Sequence, residues 1–354
     1  MPRINVVVFG RGNGESILVQ LEANHWMVVD CFINPNTDEP AAISYLKSIG
    51  QKPENVIKTI IITHFHEDHV RGMKDLISLS NPNAKVCMPD ALTTKEALNY
   101  YTTLDILNGY DELSKVRELC SIFEYMMSQK RFVIKLNQDK LIFENENHVV
   151  TALSPSDYDS QAAAQQFIAE VSKSGKAIPL SASKHTPNHF CIAINVENKN
   201  TKKSILLGGD LEICTNPSAG WNAAISSIKA PKKDSIQMFK VPHHGSETAY
   251  HQDTWDNYVE KDAIAMITTF GSCKLPRLEY VEQFKKYTQH VLCATKPKYN
   301  TKQVLNHHMA RILAKTGSSI KATNITPVKA FGYIEGAHCS NDVSYLLYGD
   351  AMLL

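Results

Sequence analysis

The chain has 354 residues, 43% of them hydrophobic, enough for one large globular domain or two smaller ones with a real core. Its 37 basic and 36 acidic residues leave a formal net charge of +1, which excludes a surface that holds nucleic acid by bulk positive charge; any such contact must be a local patch. No apolar run approaches the roughly 18 residues that cross a bilayer, and the start, Met1-Pro-Arg-Ile, has no secretory-signal pattern, so no membrane partner and a cytoplasmic location are expected.

Residues 4–9, 16–20 and 26–30 read as strands around a glycine-rich turn, Gly10-Arg-Gly-Asn-Gly14. Helical spacing of Ala42, Ile43, Tyr45 and Leu46 predicts a helix over 38–50, followed by an apolar strand over 56–63. From about 94 the pattern turns helical and charge-rich, with Leu104, Leu107, Leu113, Val116 and Leu119 among Asp, Glu, Lys and Arg. A strand pair follows at 131–135 and 141–143, then a strand at 148–153. Residues 154–185 are rich in Ser, Ala, Gln and Lys, with a short amphipathic piece at 163–171, and read as a mobile insertion. The span 94–185 is accordingly expected to be a helical and loop insertion, or cap, within one domain of residues 1–354. Beyond it, 190–196 and 204–208 form a hairpin, 235–241, 263–269 and 290–294 are strands, and a helix lies near 277–287. Strands on both sides of a helical middle fit two stacked mixed sheets better than one doubly wound parallel sheet. Eight cysteines stand singly without a C-x-x-C pair and read as reduced core thiols.

Chemistry concentrates where strands end. Thr63-His-Phe-His-Glu-Asp-His69 places three imidazoles and a carboxylate directly after an apolar strand. Imidazole nitrogen and carboxylate oxygen are what zinc and similar ions take. In a tight loop His64 and His66 can face one ion while Asp68 and His69 face a second. Leu206-Leu-Gly-Gly-Asp210 delivers an aspartate that can bridge two cations, its glycines allowing close backbone approach. Lys240-Val-Pro-His243-His244-Gly-Ser offers two more imidazoles: one completes the second metal, with His244 favoured, and the other supports it or gives a proton to the leaving group. The third ligand of the first metal comes from Lys184-His185-Thr-Pro-Asn188-His189, with His189 ranked above Asn188 and His185 because it immediately precedes a strand.

Together these residues resemble the metallo-β-lactamase family, whose motifs in order are H-x-H-x-D-H, a third histidine, a bridging aspartate and a final histidine. The resemblance runs from about residue 3 to about 295, and within the superfamily the chain is most similar to the hydrolase domain of the competence protein ComEC and its stand-alone soluble relatives. It is carried by Phe9-Gly-Arg-Gly-Asn-Gly-Glu-Ser-Ile-Leu, Val28-Val-Asp30, the histidine motif, Asn188 before a strand, Leu207-Gly-Gly-Asp210-Leu-Glu and Lys240-Val-Pro-His-His-Gly-Ser. The pattern departs at Leu275-Pro276, where the family has His-Pro, at Cys191, where a serine is usual, and in lacking the ComEC membrane channel.

The resemblance implies an α+β fold, an αββα sandwich of two mixed sheets flanked by helices. It also implies a dinuclear hydrolase with two divalent ions, Zn²⁺ or Mn²⁺. His64, His66 and His189 would bind one ion, Asp68, His69 and His244 the other, with Asp210 shared, Asp68 orienting a metal-activated hydroxide and His243 acting as proton donor. A phosphodiesterase or nuclease acting on DNA or RNA is the first expectation; hydrolysis of a small phosphodiester, lactone or thioester is the second. A regulated effector with a protein partner is the third. Lysines at 229–233, 285–286 and 296–302 can contact a phosphate backbone, although short lysine runs are mostly solvated loops.

Overall fold

The computed structural model describes residues 3–109, 115–172, 187–298, 330–339 and 342–354. Two eight-stranded sheets stack face to face. The first contains β1 (Arg3–Gly10), β2 (Glu15–Glu22), β3 (His25–Val29), β4 (Ile57–Ile61), β5 (Lys85–Pro89), β6 (Val133–Leu136), β14 (Gly332–Cys339) and β15 (Asp342–Gly349), in the spatial order β15-β14-β1-β2-β3-β4-β5-β6. The second contains β7 (Leu141–Glu144), β8 (His148–Ala152), β9 (Ile194–Asn198), β10 (Ser204–Leu207), β11 (Ile236–Lys240), β12 (Val259–Ile267), β13 (Val291–Cys293) and β16 (Met352–Leu353), in the order β16-β13-β12-β11-β10-β9-β8-β7. Helices α1 (Ala41–Ser48), α2 (Pro53–Val56), α3 (Glu67–Val70), α4 (Met73–Leu79), α5 (Lys95–Leu107), α6 (Lys115–Ser128), α7 (Asp157–Ser172), α8 (Gly220–Ser226), α9 (Gln252–Asn257) and α10 (Leu278–Phe284) complete the described chain.

The near-continuous apolar strands follow from burial on both faces. On β1, Val6 and Val8 face the second sheet, meeting Met238, Met266 and Leu207 in the central core. Their neighbours Val7 and Phe9 face outward and pack with residues of α1, α4, α5, α6 and α7, such as Leu46, Leu76, Tyr101, Leu119 and Phe167. A third cluster covers the outer face of the second sheet, where Phe239 and Ile267 meet Trp221 of α8, Trp255 of α9 and Phe284 of α10. The layers are therefore helix, sheet, sheet, helix, the αββα metallo-β-lactamase sandwich. Both sheets are mixed: β3-β4-β5-β6 and β10-β11-β12-β13 run parallel, while their flanking pairs are antiparallel. Parallel runs carry their connections across the rims, so loops after the carboxyl ends of β3, β4, β10, β11 and β12 gather at one edge.

Several expectations change in detail. The strands at 131–135 and 141–143 are not partners: β6 joins β5 in the first sheet and β7 joins β8 in the second. The span 94–185 is thus not one contiguous excursion, since β6, β7 and β8 belong to the two sheets. Residues 157–172, expected to be mobile, form α7, whose Ala163 and Phe167 are fully buried against Tyr100 and Tyr101 of α5. Residues 173–185 lie outside the described residues, as does Leu113. The sequence reading also stopped at about 295, whereas β14 pairs with β1 over eight residues and β16 pairs with β13. All eight cysteines are unpaired thiols. Among the described residues no helix is long and apolar enough to cross a membrane.

A buried histidine makes a polar contact between the sheets. His338 of β14, 1% exposed, donates from Nε2 to Gln237 Oε1 of β11 at 2.8 Å. Burial, then the nearby His148, pulls its pKa down to about 4. The unfolded chain, with a histidine near 6.5, binds a proton that the fold refuses. Stability from this site is therefore present above pH 6.5 and lost as pH falls toward 4, on the order of 2–3 kcal/mol. Urea denaturation of wild type and His338→Gln across pH 4–7 checks this: the variant should show a flatter decline, and parallel profiles would contradict it.

Candidate metal centre

The first half of the site is built on a buried carboxylate. Asp30 follows β3 with φ 58°, a left-handed conformation that turns its side chain under the loop after β4. Its Oδ1 accepts from Thr63 N at 2.8 Å and its Oδ2 from Thr63 Oγ1 at 2.6 Å. The same Oδ2 lies 2.7 Å from His69 Nδ1. These bonds fix the His69 ring so that Nε2 points toward the cleft, the arrangement expected behind a ligating histidine. Within the loop, His64 Nε2 and His66 Nδ1 approach to 3.1 Å, and the His64 and His69 rings lie 4.3 Å apart.

The second half comes from the second sheet. β10 ends at Leu207, and Gly208-Gly209 turns the chain into Asp210. A Cβ at Gly209, where φ is +52°, would stand 2.6 Å from Cys191 Sγ and 3.0 Å from Ile192 O, so the turn requires glycine. The close approach lets Asp210 N donate to Cys191 Sγ at 3.1 Å. After β11, His243 and His244 both adopt positive φ, 42° and 52°. His244 Nε2 reaches Asp68 Oδ2 at 3.1 Å and Asp210 Oδ2 at 3.7 Å, while its Nδ1 lies 2.8 Å from Thr268 Oγ1. Thr268 in turn donates to Glu15 Oε2 at 2.6 Å, and that carboxylate pairs with the fully buried Lys240 ammonium. Lys240 Nζ also donates to Gly209 O at 3.1 Å, tying the two metal-motif turns together.

Donor atoms converge in three overlapping groups: His64, His66 and Asp210; Glu15, His69, Asp210 and His244; and Asp30, His64 and His69. His69 Nε2 lies 3.5 Å from Asp68 Oδ2 and 3.4 Å from Asp210 Oδ1. His69 Nε2 and Asp210 Oδ1 are nevertheless buried without a hydrogen-bond partner. Buried polar atoms are almost always satisfied, so orphaned imidazole and carboxylate atoms aimed at one another fit a site for divalent cations. The electrostatics agree. Burial pulls the His69 imidazole down, but Asp210, Asp68 and Asp30 push it well above its ordinary value. Burial raises Asp210 and Asp68, yet His69 and His244 hold both below the usual carboxylate range. Burial, followed by His69 and His66, keeps His64 well below its ordinary value, neutral and ready to ligate.

The structure thus brings together His64, His66, Asp68, His69, Asp210 and His244. It places His189 apart: half-buried, with Nε2 3.7 Å from Glu212 Oε2, and in none of the donor groups. The turn Pro187–Phe190 is a 3₁₀ segment that buries Asn188 instead, leaving its Oδ1 without a partner while Nδ2 donates to Glu212 Oε1 at 2.9 Å. Asn188, which the sequence placed below His189, is the buried one of the pair, against Glu212 and His243. His185 lies outside the described residues. His243 is close by, its Nδ1 3.0 Å from Glu212 Oε1 and its Nε2 3.3 Å from Asn188 Nδ2. Burial lowers its pKa, but the hydrogen bond to Glu212 together with the charges of Asp210 and Glu212 raises it. Glu15, Glu212 and Thr268 received no role from sequence. Glu212, two residues after the aspartate at a strand end, was the one position with a local signal.

Two mixed sheets flanked by helices are consistent with the metallo-β-lactamase sandwich, and its rim carries a donor set for divalent cations. Residues 9–121 match the family model for the metallo-beta-lactamase superfamily, whose members are hydrolytic and metal-dependent. No curated protein matches the chain. Similar solved structures include a metallo-beta-lactamase from Cronobacter sakazakii with a mutated HARLDQ motif, 14% identical over 62% of this chain and 67% of that one, TM-score 0.33. Another is the metallo-beta-lactamase SMB-1 bound to 2-mercaptoethanesulfonate, 16% identical over 67% and 76%, TM-score 0.35. A third is the hydrolase AbOPH of the beta lactamase superfamily, 19% identical over 55% of each chain, TM-score 0.31.

Two outcomes follow. Lys240→Met leaves Glu15 buried and unpaired, and should destabilise the fold by about 3–5 kcal/mol in chemical denaturation; an unchanged midpoint would contradict the role of the ion pair. Because His69 is held protonated by its carboxylates, Zn²⁺ binding must displace a proton and tighten as pH rises. Calorimetry of the metal-free protein in two buffers of different ionisation heat should show proton release near neutral pH; equal heats would contradict it.

Proposed function

We propose that the protein is a dinuclear metal-dependent phosphodiesterase that cleaves nucleic acid. One observation carries the hydrolase reading: His64, His66, His69, Asp210 and His244 converge in overlapping donor groups, Asp68 stands against His69 and His244, and His69 Nε2 and Asp210 Oδ1 are buried without a hydrogen-bond partner. His64, His66 and Asp210, with Asn188 Oδ1 nearby, would hold one cation; Asp68, His69, Asp210 and His244 would hold the other. When bound, two divalent cations supply Lewis acidity and activation of water at neutral pH. The similarity of the sequence motifs to the ComEC hydrolase domain supports a phosphodiester substrate over a β-lactam.

The chain's own residues do the rest. Asp68, kept ionised by His69 and His244 against the cost of its burial, orients the attacking water and can accept its proton. His243, whose pKa is raised by Glu212 and Asp210 against its burial, would give a proton to the departing oxygen from the edge of the site. Glu212 acts through His243 as a positioning residue: it accepts from Asn188 Nδ2 at 2.9 Å while holding His243 Nδ1 at 3.0 Å. Thr268 does the same for His244, fixing its ring by the Nδ1 contact of 2.8 Å.

Plasmid and single-stranded DNA, incubated with Mn²⁺ or Zn²⁺, test the proposal. Wild type should cut, and Asp68→Ala should lose roughly 10²–10⁴-fold in kcat, the range for removing a positioned acid or base. Wild type and Asp68→Ala equally inert on every nucleic acid, with wild type active on a lactone or thioester, would replace the nuclease reading with the small-substrate one.

A further inference from the structure

A cleft of about 680 Å³ opens beside the metal centre and takes no part in the chemistry above. One wall is the β1–β2 turn, Arg11, Gly12 and Asn13; the other is the segment Thr269, Gly271 and Ser272; Lys296 and Lys298 close it. The two turns are locked to each other. Gly271 N donates to Gly12 O at 2.7 Å, Asn13 Nδ2 to Ser272 Oγ at 2.9 Å, and Ser272 N to Asn13 Oδ1 at 3.1 Å.

Its charge is cationic. Arg11, Lys296 and Lys298 face one lining carboxylate, Asp350, whose Oδ2 already accepts from Phe331 N at 2.9 Å. Lys296 and Lys298 are exposed and form no ion pair with another described residue. Arg11 is half-buried and uses one N–H group, donating from Nη1 to Ile33 O at 3.0 Å, so the rest of its fork is uncommitted among the described residues. A half-buried guanidinium flanked by two lysines is built for a phosphate oxygen pair.

The position is as telling as the charge. The segment that forms one wall also carries Thr268, bonded to His244 Nδ1, and Phe270, whose ring stacks on that of His244 with centroids 5.4 Å apart. Arg11, from the other wall, is near enough to Glu67 and Arg71 at the metal-motif helix to feel their charges. The cleft therefore adjoins the metal centre through both walls.

Resting on the nuclease reading, we infer that this cleft holds a backbone phosphate flanking the phosphodiester cleaved at the metal centre, so that the enzyme prefers a polynucleotide to an isolated phosphodiester. Phosphate contacts of this kind position a strand without reading its sequence. The test uses full-length wild type and Lys296→Gln/Lys298→Gln, with Lys199→Gln, on the turn between β9 and β10, as a distant charge control. Anisotropy of a labelled single-stranded oligonucleotide on metal-free protein should show at least about tenfold weaker binding for the double variant, with the log–log salt slope reduced by about 1–2. With metal, its kcat/KM on the oligonucleotide should fall about tenfold relative to that on bis-p-nitrophenyl phosphate, and Arg11→Gln should act in the same direction. If wild type cuts DNA but both variants bind and cut as wild type does, the cleft is not a phosphate subsite and the nuclease reading stands. If wild type neither binds nor cuts any nucleic acid, the nuclease reading fails and the subsite fails with it.

Discussion

The rim of the sandwich holds four carboxylates, Glu15, Asp30, Asp68 and Asp210, and three of them are almost fully buried. Unpaired, such charges would be costly enough to unfold the rim. Asp30 is neutralised through His69 and Thr63, and Glu15 through Lys240 and Thr268. Only Asp68 and Asp210 are left facing imidazoles across open distances of 3.1–3.8 Å. Asp30 is held by protein through both oxygens and Glu15 through Oε2, while the inner carboxylates face the centre where a cation would sit. This division fixes the geometry: the first pair orients the rings of His69 and His244, and the second presents oxygen to the centre between them.

The same constraint explains the backbone. Asp30, His243 and His244 all take positive φ, a conformation that side chains with a Cβ adopt only under compensation. Asp30 directly follows β3 and the two histidines lie in the turn beyond β11, each held by its own side-chain contacts. Gly209 carries the fourth such turn, where Cys191 and Ile192 leave no room for a Cβ. Positive φ also occurs within a strand, at Asp262 of β12, and several strand pairs carry register shifts.

The core of the site was legible because ligating chemistry demands particular side chains at strand ends. His64, His66, Asp68 and His69 fall within six residues, and Asp210 and His244 each follow an apolar strand. The layered fold was legible for a related reason: strands buried on both faces read as unbroken apolar runs. The sequence put His189 above Asn188, whereas the 3₁₀ turn buries Asn188 and leaves His189 half-buried, a difference only packing decides. Glu15 escaped notice because its partners, Thr268 and Lys240, lie more than two hundred positions away. The pairing of β6 and β7 was misread because two consecutive strands that leave one sheet and enter the other look, in sequence, like a hairpin. The closing strands were missed because β15 alternates exposed and half-buried residues, a weak signal beside the apolar strands of the interior.

Those closing strands also set the order in which the molecule can be made. β1 lies between β2 and β14, and Tyr45 bonds Glu335 across 290 residues of chain. On the ribosome, the segment bearing the histidine motif emerges early, but one long edge of β1 stays unpaired until β14 arrives. Such distant pairings form slowly, and an open apolar edge invites association with other chains. A chain stopped before residue 330 would carry most of the metal ligands on an unfinished sheet. Closure of the first sheet, and with it the rim that carries the donor set, therefore waits on the pairing of β1 with β14.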